Sequence, residues 1–244
     1  MLEETVRHEA RGAVDRAKTG RRRPPAPRPD PSGPRTGTAD RRSNDVGRVV
    51  GPDRAAKVEG RLKEAAKAFE RGRFPDARRI LRPLVNDAPG IATAHELLGL
   101  THYRMGQWNA AIKELEAFRS LTGSTDQHPV LADCYRALGR HAKVAELWEE
   151  LRAASPSAAL VAEGRIVAAG SLADQGRLDD AIRLLSAAKT PAKRPKDHHL
   201  RVTYALADLY ERAGDIPRAR QLFDQVAAHD PGMGDVTARV RALR

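Results

Sequence analysis

From about residue 55 to the end of the chain, apolar residues recur at three- and four-residue intervals, the period of an α-helix with one buried face. This periodicity runs up to a glycine, breaks, and resumes about three residues later. Continuous β-branched or aromatic runs of the kind that buried strands require are missing. The pattern predicts an all-α chain of helix pairs at 56–71 with 75–87, 91–105 with 109–121, 128–138 with 142–154, 157–175 with 179–189, and 198–213 with 217–229. Asp235 is placed to N-cap a last helix running to Arg244, with Val236, Val240 and Leu243 as its apolar stripe. Such an end helix hides the apolar face that a terminal repeat leaves open.

Five segments at the breaks align without gaps: RGRFPDARRIL (71–81), MGQWNAAIKEL (105–115), LGRHAKVAELW (138–148), QGRLDDAIRLL (175–185) and AGDIPRARQLF (213–223). Their glycines, Gly72, Gly106, Gly139, Gly176 and Gly214, are spaced by 34, 33, 37 and 38 residues. Each glycine suits a left-handed helix C-cap, where a Cβ is penalised. Two residues on, Phe74, Trp108, His141, Leu178 and Ile216 are expected to plug the gap between paired helices. Ala77, Ala111, Val144, Ala181 and Ala219 are small enough for a close crossing. Leu81, Leu115, Trp148, Leu185 and Phe223 reach toward the neighbouring hairpin. The two longer spacings place insertions around Ala154–Leu160 and Thr190–His199.

Over about residues 56–232 this pattern resembles the tetratricopeptide repeat family, a helix–turn–helix unit stacked into a right-handed superhelix. Leu98–Gly99 matches the family's Leu-Gly pair, and Leu131–Ala132, Ala168–Ala169, Leu206–Ala207 and Glu64–Ala65 replace it elsewhere. The family tyrosine matches at Tyr135 and Tyr210, and its early tryptophan is absent. The resemblance implies a tandem-repeat solenoid of about five units over 54–244, acting as a protein–protein adaptor and not as an enzyme. In this family the first helix of each pair lines a groove that takes a peptide. Counted back from each turn glycine, the groove-facing positions are Glu59, Tyr103, Arg104, Asp133, Arg136, Asp174, Arg201, Asp208 and Arg212. Their mixed charge fits charge-assisted bonds to a polar segment. Family members that grip chaperone C-termini use a Lys and Asn carboxylate clamp. Leu62 and Ala66 occupy the matching positions here, which argues against that ligand.

Composition changes the picture chiefly at the N-terminal end. The chain of 244 residues has a formal net charge of +11, of which residues 1–53 carry +4 and residues 54–88 carry +5. Six of its 16 prolines fall between Pro24 and Pro34, in a stretch with almost nothing apolar to bury. Residues 1–53 therefore read as a basic, Pro/Arg-rich disordered tail, with a marginal helix within 2–17. Arg21, Arg22, Arg23, Arg41 and Arg42 of this tail are candidate phosphate contacts. Together with Lys63, Lys67, Arg71, Arg73, Arg78, Arg79 and Arg82 they support an alternative reading, an RNA- or ribosome-associated factor. The sequence carries no secretory signal and no membrane-spanning stretch, and its one cysteine, Cys134, excludes an internal disulfide. A cytoplasmic protein is expected.

No nucleotide-binding loop, nucleophile elbow, HExxH or CxxC pair occurs, and no cofactor is expected. His95, His102, His128, Cys134 and His141 lack zinc-ligand spacing, and His141 already fills a plug position. His198–His199 open a helix after a basic loop and read as solvated. Trp108 and Trp148 occupy recurrent packing positions and read as core rather than base-stacking residues, and Cys134 as an inert thiol.

Overall fold

The computed structural model describes residues 46–188 and 194–243. The expected helix within 2–17, the five tail arginines and part of the second insertion lie outside these residues. Among the described residues there are twelve helices and no strand. The chain divides into two compact units at Cys134–Tyr135, within the helix α6 (His128–Ala137).

The N-terminal unit begins with α1 (Val46–Val50), followed by the hairpins α2 (Pro52–Glu70) with α3 (Phe74–Asp87) and α4 (Ala92–Arg104) with α5 (Trp108–Thr122). Helix α1 falls inside the stretch that the sequence assigns to the tail. Val46 is buried and Gly51 turns the chain at φ 81 into α2. Pro52 then occupies the first turn, where its missing N–H costs nothing. The helices cross where the sequence supplies small residues. A Cβ on Gly99 would meet the Leu115 side chain at 2.7 Å, and Ala77 and Ala111 are fully buried.

The C-terminal unit contains α7 (His141–Ala154), the hairpins α8 (Ala158–Asp174) with α9 (Leu178–Ser186) and α10 (Asp197–Arg212) with α11 (Ile216–His229), and α12 (Val236–Ala242). Gly164 lets α8 lie against α7, because a Cβ there would stand 2.3 Å from Leu151 Cδ2. Two apolar clusters form the core of this unit, one around Val202, Leu209 and Leu185, the other around Phe223, Val226 and Val236. The stripe expected on the last helix is present: Val236 and Val240 are buried and Leu243 packs against the second cluster.

One turn recurs five times. The glycines have φ values of 72, 68, 67, 75 and 81 in chain order. The residue after each (Arg73, Gln107, Arg140, Arg177 and Asp215) donates its N–H to the carbonyl five positions back, at 2.9–3.0 Å. That bond is the signature of a Schellman cap. The same residue is the N-cap of the next helix, so one position ends one helix and starts another. Phe74 meets Phe69 edge-on at 5.3 Å, and Trp108 meets Tyr103 at 5.4 Å. Ile216 departs from the expectation: it is 39% exposed, with no following hairpin among the described residues to cover it.

Candidate protein-interaction cleft

The first helices of successive pairs in the C-terminal unit border a cleft of about 410 Å³. Arg136 enters from α6, Glu163 and Ala169 from α8, and Arg201, Asp208 and Arg212 from α10. Ile166, Ala205 and Leu209 contribute apolar lining, and Tyr204 and Asp235 also line it.

The charged groups are held in fixed arrangements. Gly170 has no Cβ, and one built there would meet the Arg136 guanidinium at 2.5 Å; the arginine thus lies flat on α8. From that seat its Nε donates to Asp174 at 2.6 Å and a second nitrogen donates to the other carboxylate oxygen at 3.1 Å. This bond holds the Asp174 carboxyl below its ordinary pKa. Deeper in, Arg201 and Glu163 form a buried pair, with Nε 3.0 Å from one oxygen and an Nη donating to the other at 3.1 Å. Arg239 of α12 reaches back to Asp208 at 3.0 Å, Glu211 at 2.6 Å and Asp235 at 3.2 Å. Arg212 is different. It is exposed and donates to the Ala173 carbonyl at 3.4 Å, and no carboxylate lies within ion-pair distance of it among the described residues.

The Tyr204 hydroxyl donates to Asp235. Burial and this bond push its pKa up to about 12, and the same bond lowers that of Asp235. Asp235 does sit at the N-cap position of α12, as the sequence predicts, but its side chain makes no capping bond. Its carboxylate is occupied instead by Tyr204 and Arg239.

Of the nine sequence-predicted groove positions, Arg136, Arg201, Asp208 and Arg212 line this cleft, and Asp174 joins it through Arg136. The other four belong to the N-terminal unit. Tyr103 donates to Asp133 at 2.8 Å with both side chains buried, Arg104 stacks over the Phe74 ring at 4.7 Å, and Glu59 is exposed. Sequence reasoning missed Glu163, Tyr204 and Arg239. A signal for Glu163 existed, since it stands thirteen residues before its turn glycine, the register of Glu59 and Arg201. Tyr204 and Arg239 become visible only when α12 folds back.

The remaining candidates are engaged in packing. His95 is buried with Nδ1 2.7 Å from Glu114 and Nε2 3.0 Å from the Pro89 carbonyl. His102 pairs with Gln107 at 2.6 Å and His141 with Ser171 at 2.8 Å. Among the described residues no three His, Cys, Asp or Glu side chains are grouped to hold a metal ion. His198 and His199 are half-buried rather than solvated, and His199 accepts from the Lys196 N–H at 2.9 Å at the start of α10. Trp148 is buried beneath the Arg165 guanidinium, and Trp108 is half-buried. Burial, then the charge of Asp133, raises the Cys134 thiol far above its ordinary pKa and keeps it protonated. Leu62 and Ala66, at the family's carboxylate-clamp positions, are buried. No described helix is long and apolar enough to cross a membrane.

Helix hairpins joined by one repeated glycine turn, with a cleft on their first helices, define a helical-repeat scaffold. Tetratricopeptide repeat models match residues 62–125 and 172–244, and the chain belongs to that family. Members of the family generally serve as non-enzymatic scaffolds for protein–protein interaction. A thermophilic TPR protein of Thermus thermophilus is similar at 18% identity and a TM-score of 0.56, over 76% of this chain and 98% of that one. Nearly identical TPR-like repeats from Podosopora anserina give 18% identity and a TM-score of 0.56, over 76% and 97% of the two chains. At such identities the likeness establishes fold alone. Comparison with curated proteins found no match.

Proposed function

We propose that this protein is an adaptor whose cleft on α6, α8 and α10 holds a segment of another protein. The observation that carries the reading is the cleft itself: an apolar lining of Ile166, Ala205 and Leu209 together with fixed charges of both signs. An apolar lining supplies affinity for a side chain, and preset charges supply direction without an ordering cost at the moment of binding. Arg212 is the group best placed to accept a new partner. It is exposed and feels the Asp174 charge only at a distance, so a carboxylate of the bound segment gives it the direct ion pair that no described residue makes with it. Arg136 is already committed to Asp174 and serves as a wall.

The test is a selection from a displayed random-peptide library on the full chain, followed by affinities for wild type, Arg212→Glu and Ala205→Trp. Ala205→Trp fills the cleft, and Arg212→Glu reverses its open charge. Each is expected to weaken the selected peptides by at least about tenfold, the size of one charge-assisted contact or one blocked apolar pocket. Peptides that bind both variants as well as wild type would refute the assignment.

A further inference from the structure

A second surface lies on the first hairpin, within the N-terminal unit. In the C-terminal unit, exposed cations commonly sit against an acid three or four residues away, as in Lys143–Glu146, Arg152–Glu149 and Arg218–Asp215. On α2 this pairing fails, and around α3 it is confined to Asp76. Lys57, Arg61, Lys63, Lys67, Arg71 and Arg82 have no carboxylate within ion-pair distance among the described residues. Asp76 is taken by Arg73 at 3.5 Å and Arg79 at 3.7 Å, and Glu59 and Glu64 stand in the same turns of α2 without pairing. Residues 54–88 keep a net charge of +5.

The arrangement is regular. Lys63, Lys67 and Arg71 follow one another at four-residue steps, on the side of α2 opposite buried Val58, Leu62, Ala65 and Phe69. Four residues of α-helix rise about 6 Å, so the row presents one cation per turn along a rigid axis. Past the Gly72 turn, Arg78, Arg79 and Arg82 border a shallow depression of about 440 Å³ flanked by Pro75 and Pro83. We infer that the outer faces of α2 and α3 bind the phosphate backbone of a nucleic acid. A line of evenly spaced, uncompensated cations matches a polymer of evenly spaced anions. Guanidinium groups match phosphate as a planar fork, a geometry that a carboxylate-bearing polypeptide offers less densely. Aromatic side chains are lacking in the row, so the contact reads charge spacing and not base identity.

The experiment is a salt titration of the full chain against a labelled mixed-sequence single-stranded RNA of about 20 nucleotides, read by fluorescence anisotropy. Polyglutamate at equal charge and vesicles containing phosphatidylserine are the comparison probes. Binding is expected to fall linearly in log–log form with salt. In the K63E/K67E/R71E variant the slope should shrink by about 2, at roughly 0.7 per lost phosphate contact, and affinity at low salt should drop at least about tenfold. The milder K67Q/R71Q/R82Q variant, expected to keep the helical circular dichroism of the wild type, should move both readings in the same direction. Unchanged slope and affinity in both variants would overturn the proposal. Polyglutamate competing as strongly as RNA would overturn it in favour of an acidic protein, and vesicle binding of equal strength would overturn it in favour of a membrane surface.

Discussion

Arg201 and Glu163 meet where neither side chain touches much water, at 6% and 8% exposure. A buried pair is costly to form and far more costly to break, because the survivor is left charged and dry. Arg201→Met alone should therefore cost about 3–5 kcal/mol in urea unfolding, whereas Arg201→Met with Glu163→Gln should recover most of that loss. Equal destabilisation by the single and double changes would show that the pair does not act as a unit. Asp174 and Asp235 both have carboxyl pKa values lowered in the folded state. Their contribution is full above the ordinary carboxylate range and lost as pH falls through the lowered value. Asp235→Asn should therefore flatten the acid limb of the stability curve. Tyr204 runs the other way. Its raised pKa contributes stability that is complete below pH 10 and lost as pH rises toward about 12. Tyr204→Phe should delete the phenolate absorbance step at about pH 12.

At the scale of the element, the helix boundaries were legible because each is written twice, once in the apolar period and once in the glycine. The predicted pair 91–105 with 109–121 is observed as Ala92–Arg104 with Trp108–Thr122, and the other pairs agree nearly as closely. What the period could not show was α1, whose five residues hold three valines and too few turns to display a repeat. Nor could it show that Asp235 trades capping for Tyr204 and Arg239, since those partners lie 31 and 4 residues away and meet only through folding. Close crossings make a sharper prediction. Gly164→Ala would gain up to about 1 kcal/mol of helix propensity. It would also drive a methyl to 2.3 Å from Leu151 Cδ2, an overpacking cost of about 1–3 kcal/mol. A net loss is expected in urea unfolding, and it should shrink when measured in a Leu151→Ala background.

At the scale of the whole molecule, the charge of the sequence resolves into two different designs. The first hairpin keeps most of its cations open, with only Arg73 and Arg79 paired to Asp76, while the cleft of the C-terminal unit commits most of its charges to internal pairs and leaves Arg212 available. Counting back from the turn glycines found Arg136, Arg201, Asp208 and Arg212 because register alone fixes which face of a helix a residue occupies. The same counting could not separate an open charge from a committed one. Tyr103 and Asp133 fit the register as well as Arg212 does, yet they are buried against each other. The two surfaces should be separable: Arg212→Glu is expected to lose peptide and keep RNA, and K63E/K67E/R71E to do the reverse.

Hydrogen exchange of the full chain, with and without a library-selected peptide, tests the cleft most directly. Binding should slow exchange in the first helices, over residues 163–174 and 201–212, and leave α9 and the outer turns of α11 unchanged. Protection confined to α9 and α11, or to the first hairpin, would contradict the assignment of the cleft as the binding surface.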